Sequence, residues 1–138
     1  MSKKYRAVVI ENDPCVLQML QRYFAHHKEE FDVEFCISCD EMIALLAKNT
    51  DESVNLFLID AMLSNPTNGI MISASLRQQF PYSIVIVMTG YEKAYPFERA
   101  RMDGHCDDYI TKPFYLRELD VLIEHHMYTI KRWKEMQK

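Results

Sequence analysis

Two textures alternate along the chain. Short apolar runs occur at Arg6–Ile10, Val33–Ile37, Val54–Ile59, Ile84–Met88 and Asp108–Ile110. Most are dense in Val, Ile, Leu or Phe, as strands covered on both faces are. Amphipathic stretches separate them. After Pro14, the positions Val16, Leu17, Leu20, Tyr23, Phe24 and His27 fall on one helical face, and Cys15, Gln18, Arg22 and Glu29 lie opposite. "SCDE" at 38–41 reads as a capping box ahead of Met42–Ala47. A third helix is expected from about Gly69 to Phe80, stopped by Pro81. A fourth, over about residues 96–103, opens at Pro96 and ends at Gly104. The last starts near Tyr115 and buries Leu116, Leu119, Ile123, Met127 and Ile130. Five strand–helix units with short loops and right-handed crossovers predict an α/β fold, a single doubly wound five-stranded parallel sheet with helices on both faces.

Composition narrows the class. A length of 138 residues, 49% apolar and 26% charged, suits one soluble globular domain spanning the chain. The net charge of −4, with 16 basic residues scattered rather than clustered, argues against direct nucleic acid binding through bulk electrostatics. Lys131, Arg132 and Lys134 sit where they favour the end of the last helix. No apolar stretch is long enough to span a membrane, and the run after the N-terminal lysines is too short for a signal peptide. A cytoplasmic location and no membrane partner are therefore expected. Cys36 and Cys39 form a C-x-x-C. A zinc site would need a second ligand pair, and a redox motif a helix beginning at the first cysteine, so both are read as core or surface thiols. His26-His27 and His125-His126 fall within helical patterns and are read as helix-face residues.

In open α/β sheets, ligands bind outside the carboxyl ends of the strands, so the residues following each run carry the functional reading. Glu11, Asn12 and Asp13 follow the first run, Asp60 the third, Thr89 and Gly90 the fourth, and Thr111, Lys112 and Pro113 the fifth. The second ends in Ser38 and Cys39, with no comparable group. Any one of these alone is an ordinary turn or cap residue; the set is harder to dismiss. Clustered carboxylates repel one another without a cation, and oxygen ligands suit Mg²⁺. A lysine and a threonine hydroxyl opposite would stabilise an oxyanion such as a phosphoryl group. Asp60 can be the nucleophile that takes that group up, and Gly90 leaves room beside it.

With "VVIENDP", "LFLIDAML", "VIVMTG" and "DDYITKPF" in that order, the chain resembles the CheY-like receiver domain of bacterial two-component response regulators, over about residues 5 to 130. The resemblance implies a flavodoxin-like (β/α)5 sheet ordered 2-1-3-4-5. It makes Asp60 the phosphoacceptor, charged by a histidine kinase or phosphotransfer protein. Mg²⁺ would be held by Glu11, Asn12, Asp60 and the main-chain oxygen of Met62. Thr89 and Tyr109 would be the switch pair, Lys112 the phosphate-binding lysine, and Lys112–Pro113 a cis bond. Phosphorylation would change the face of the fourth helix, fifth strand and last helix that a downstream protein reads. Gln18 and Arg22, with the Pro113-Phe114 loop, would dock the kinase.

Three features depart from that pattern. Asn12 stands where a metal-binding acid is expected. Because the apolar run ends at Ile10, Glu11 opens the pair, and Asp13 is left to cap the following helix beside Pro14. An amide keeps an oxygen ligand but removes a unit charge, so Mg²⁺ is expected to bind weakly, by a factor on the order of 10 to 1,000. The loop "DAMLSNPTNG" is one residue longer than usual, and Pro96 disturbs the fourth helix. The expected function is a stand-alone phosphoacceptor in a phosphorelay, a monomer or weak homodimer, not an enzyme beyond self-phosphorylation and autodephosphorylation. The alternative is a pseudo-receiver that binds partners without phosphate. A haloacid-dehalogenase-like phosphatase is more remote, because it needs a second acid where Met62 stands.

Overall fold

A computed structural model describes residues 4–48, 53–61, 66–90 and 103–137, with the backbone alone for 66–68 and 70. Its elements are β1 (Tyr5–Ile10), α1 (Pro14–His26), β2 (Phe31–Cys36), α2 (Cys39–Lys48), β3 (Leu56–Asp60), α3 (Pro66–Gln79), β4 (Ile84–Gly90), β5 (Asp108–Lys112) and α4 (Leu116–Met136). The strands form one sheet in the order β2-β1-β3-β4-β5, and every pairing is parallel. The doubly wound parallel sheet is the one expected from the alternation of runs, and its order is the flavodoxin-like one that the resemblance implies. The helix expected over 96–103 lies almost wholly outside the described residues. Gly104, expected to end it, has φ +78°, a conformation that glycine adopts without steric cost.

Alternation along the strands divides the core between the two faces of the sheet. On one face, Ala7, Val9, Leu56, Leu58, Ile86, Met88 and Ile110 pack with Leu20, Tyr23 and Phe24 of α1 and with Leu119, Ile123, Met127 and Ile130 of α4. On the other, Val8, Ile10, Phe57, Ile59 and Val85 pack with Met42 of α2 and Leu76 of α3. Strands buried on both faces explain the near-continuous apolar runs. The apolar face expected for α1 is buried at Leu20, Tyr23 and Phe24. Cys15, Gln18 and Arg22 are exposed. His27 belongs to the end of that face, stacked on Tyr23 at 4.4 Å between ring centroids. Leu116 is only half-buried, one turn ahead of the fully covered stripe on α4.

Some boundaries shift. β2 begins and ends earlier than its apolar run, and α3 starts at Pro66 rather than near Gly69. Pro at the first helical position needs no N–H partner there, so the helix can open on it. Gly69 then lies inside α3, and a Cβ added to it would stand 2.8 Å from Cα of Ala61. The helix thus crosses directly over the residue after Asp60. The capping box at Ser38 forms by half. The Glu41 N–H donates to Ser38 Oγ at 3.1 Å, but Glu41 Oε1 accepts from the N–H of Ile37, at 3.4 Å, one residue earlier than the motif requires. Helix α2 opens on Cys39, the second cysteine of the C-x-x-C, while Cys36 ends β2. Burial pushes the Cys36 thiol up to about 11 and raises that of Cys39, so both stay protonated and unreactive at neutral pH.

At the edge of the sheet where the strands begin, the last turns of α4 are anchored. Lys134 donates to the carbonyl of Lys4 at 2.5 Å and lies 4.6 Å above the Tyr5 ring. Trp133 meets Tyr82 edge-on at 6.1 Å. The opposite edge, where the strands end, carries the polar residues.

Candidate functional site

Register sets the site. Ile10 of β1 pairs with Ile59 of β3, so Glu11 leaves the sheet level with Asp60. Thr89 pairs with Thr111, and Gly90 with Lys112. Glu11 and Thr89 are fully buried and Asp60 is 3% exposed. Charged groups so deeply buried need partners, and Lys112 supplies one. Its ammonium donates to Glu11 Oε1 at 2.7 Å and lies 3.2 Å from Asp60 Oδ1. β1 and β3 are neighbours in the sheet, while β4 separates both from β5, so the side chain of Lys112 closes the gap. Burial raises the Glu11 carboxyl above its ordinary range; Lys112 opposes that rise and the neighbouring Asp60 adds to it.

The segment after β1 divides its labour as its spacing suggests. Glu11 Oε2 accepts from the N–H of Asp13 at 3.0 Å. Asp13 caps α1: Oδ1 accepts from the N–H of Cys15 at 2.8 Å and of Val16 at 3.4 Å. Asn12 is exposed. Asp13→Ala is expected to lower stability by about 1 kcal/mol, the usual worth of an N-cap, seen as a lower urea midpoint by circular dichroism. An equal loss in Asn12→Ala would contradict this division, because Asn12 makes no capping bond.

The other expected residues are placed as follows. Thr89 Oγ1 makes a long contact, 3.5 Å, to the carbonyl of Gly90. Tyr109 is half-buried against Ala61, Val87 and Cys106. The Lys112–Pro113 bond is cis. Met62 falls outside the described residues. Gln18, Arg22 and Pro113 are exposed. Phe114 is not: its ring is 6% exposed, within the core formed by α1 and α4. An apolar ring following β5 gains more from burial than from water.

Three contacts made by Asp107 and Asp108 add to the expected set. His126 of α4 meets Asp108 Oδ2 at 2.9 Å at the start of β5. Asp107 Oδ2 accepts from the N–H of Val85 at 2.7 Å, while Arg77 reaches Asp107 Oδ1 at 3.0 Å. The two adjacent aspartates at the start of the fifth run were the signal for them. One ties α3 to β4, the other ties β5 to α4.

The donor set can be weighed against a divalent cation. Among the described residues no three His, Cys, Asp or Glu side chains converge on one point. Glu11 and Asp60 each give an oxygen to Lys112, Asp13 is spent on a cap, and position 12 carries no charge. A hard divalent ion demands about six oxygens and resists dehydration. As they stand, these residues fit a single ammonium and do not fit such an ion.

The chain matches the response regulator receiver domain family over residues 7–124. It is 28% identical to the TorCAD operon transcriptional regulatory protein TorR of Escherichia coli strain K12 over 133 residues, 96% of this chain and 54% of that protein. It is 29% identical to the response regulator ArlR of Staphylococcus epidermidis over 112 residues, 81% of this chain and 48% of that protein. The chain thus spans about half the length of these curated relatives. Among solved structures, a response regulator receiver domain protein from Clostridium thermocellum superposes with a TM-score of 0.75 at 21% identity, covering 96% of this chain and 98% of that one. A CheY-like receiver domain protein from Methanospirillum hungatei JF-1 gives 0.71 at 22%, covering 97% and 99%. The sheet order, the acid and lysine meeting at its carboxyl edge and the match over most of the chain lead to one conclusion: this chain belongs to the response regulator receiver domain family of two-component systems.

Proposed function

We propose that the chain is a phosphoacceptor whose Asp60 takes a phosphoryl group from a histidine kinase or phosphotransfer protein. The observation that carries this reading is the convergence of the buried Asp60 carboxylate with the Lys112 ammonium at 3.2 Å, beside a glycine and a threonine at the end of β4. A carboxylate oxygen of Asp60 attacks the phosphorus of the phosphohistidine in line. The P–O bond forms as the P–N bond breaks, and the bonding pair returns to the imidazole nitrogen, which takes up a proton. Lys112 holds one phosphoryl oxygen and offsets the charge that gathers there. The acyl phosphate adds charge and acceptor oxygens. Thr89 then bonds a phosphoryl oxygen, and Tyr109, half-buried beside Ala61, turns toward the space it leaves. Strand β5 and helix α4 carry that change to a downstream partner as a shift between two populations. Receiver domains generally use Mg²⁺ for phosphorylation; in this chain the amide at position 12 removes one of the charges that would draw such an ion.

A second reading, a pseudo-receiver that binds partners without phosphate, draws on the same Asn12 and on a lysine already paired with Glu11. Intact mass after acetyl phosphate treatment separates the two. One phosphoryl group added to the wild type, and none to Asp60→Asn, is the expected result. No adduct in the wild type at any Mg²⁺ concentration, or an adduct that survives Asp60→Asn, would remove the phosphoacceptor reading.

A further inference from the structure

We infer that Glu11 acts as a positioning residue for Lys112 rather than as a metal ligand, and that the Lys112 ammonium serves Asp60 as a built-in cation, so that phosphoryl uptake does not depend on a divalent ion. This deepens the phosphoacceptor reading and rests on it.

Glu11 and Asp60 bring two negative charges to the carboxyl edge of the sheet, and Asn12 brings none. One ammonium therefore leaves the cluster at a single net negative charge, where an acid at position 12 would leave two. Contact distances point the same way. Lys112 is closer to Glu11, at 2.7 Å, than to Asp60, at 3.2 Å. Glu11 is itself fixed from both oxygens, since Oε2 accepts from the N–H of Asp13. That amide opens the capping turn of α1, so the carboxylate that grips the lysine is held by a helix N-terminus. The lysine is thus presented beside Asp60 at a fixed position, and its side chain is 21% exposed, enough for an incoming phosphoryl oxygen to reach it.

A divalent ion entering here would have to displace Lys112 from both carboxylates. It would then face one acid fewer than it needs and an ammonium a few ångströms away. Each of these two terms lowers divalent affinity by a factor on the order of 10 to 1,000. Arginine would not replace the lysine equivalently, because its planar fork cannot sit as a point charge between two oxygens.

The test is a MgCl2 titration of the whole chain, following backbone amide shifts at Ala61 and Gly90 by NMR, for the wild type, Lys112→Met and Asn12→Asp. The wild type is expected to bind with a dissociation constant of roughly 10 mM or weaker, and each variant roughly 10-fold or more tighter. Equal affinity in the wild type and Lys112→Met overturns the inference, as does sub-millimolar binding by the wild type alone, which stands even if a variant fails to fold. A parallel acetyl phosphate labelling in EDTA distinguishes the two readings. Label in EDTA within about threefold of the rate with Mg²⁺ supports a built-in cation. Label only with Mg²⁺ overturns this inference and leaves Asp60 the phosphoacceptor. No label in either condition overturns the phosphoacceptor reading and with it this one, whatever the titration shows.

Discussion

Lys112→Met is expected to slow acyl phosphate formation on Asp60 by about 100- to 1,000-fold, the range seen when one preorganised charge or donor is removed from a developing oxyanion. The length and most of the apolar stem are kept, so local packing changes little. What is lost is the ammonium in contact with both Asp60 and Glu11. In a buried site that charge acts through a low effective dielectric, and no water shell takes its place at full strength. Both carboxylates would then face each other uncompensated, which also makes attack by Asp60 on an anionic phosphoryl group less favourable. The measurement is the rate of mass gain with acetyl phosphate in excess. A loss below about fivefold would mean that Lys112 serves the resting fold and not phosphoryl uptake.

Phe57→Ala is expected to cost about 3–5 kcal/mol of folding stability, as large-to-small changes of buried aromatic residues do. Phe57 is fully buried in the central strand β3 and lies 5.3 Å from the Phe80 ring, so its loss opens a cavity under α2 and α3. Domains of this kind are stable by only about 5–15 kcal/mol in total, and the urea midpoint followed by circular dichroism should fall steeply. Phe57→Leu, which keeps most of the volume, should cost about half as much or less. If alanine and leucine cost the same, the ring is not held by packing on that face.

The parts of the fold that could be read from the chain are those governed by local period. The run Leu56–Asp60 is apolar up to its last residue, so both its burial and the exit of Asp60 at the sheet edge follow from sequence. Asp13 before Pro14 announces a cap in the same way. Boundaries were harder where local and tertiary terms compete. α3 opens at Pro66 because it must cross Ala61 at Gly69, a contact between residues eight apart that no period encodes. The Glu11–Lys112 pair was illegible for a similar reason. These residues are 101 positions apart, on strands that are not neighbours, and only the closed sheet brings them within reach. The lysine could be assigned to an anion from its position after the fifth apolar run; that its anion in the resting protein is Glu11 depends on a distance.

Trp133 is the only tryptophan in the chain. It rests against Tyr82, two residues before β4, while Thr89 and Gly90 close that same strand. Seven residues of β4 separate the two ends, roughly 23 Å at the usual rise. Indole fluorescence therefore reads the integrity of the distal edge and is nearly blind to events at Asp60. The same sample can be followed optically for unfolding and by mass for phosphoryl uptake, and a variant that loses the second while keeping the first has lost chemistry and not structure.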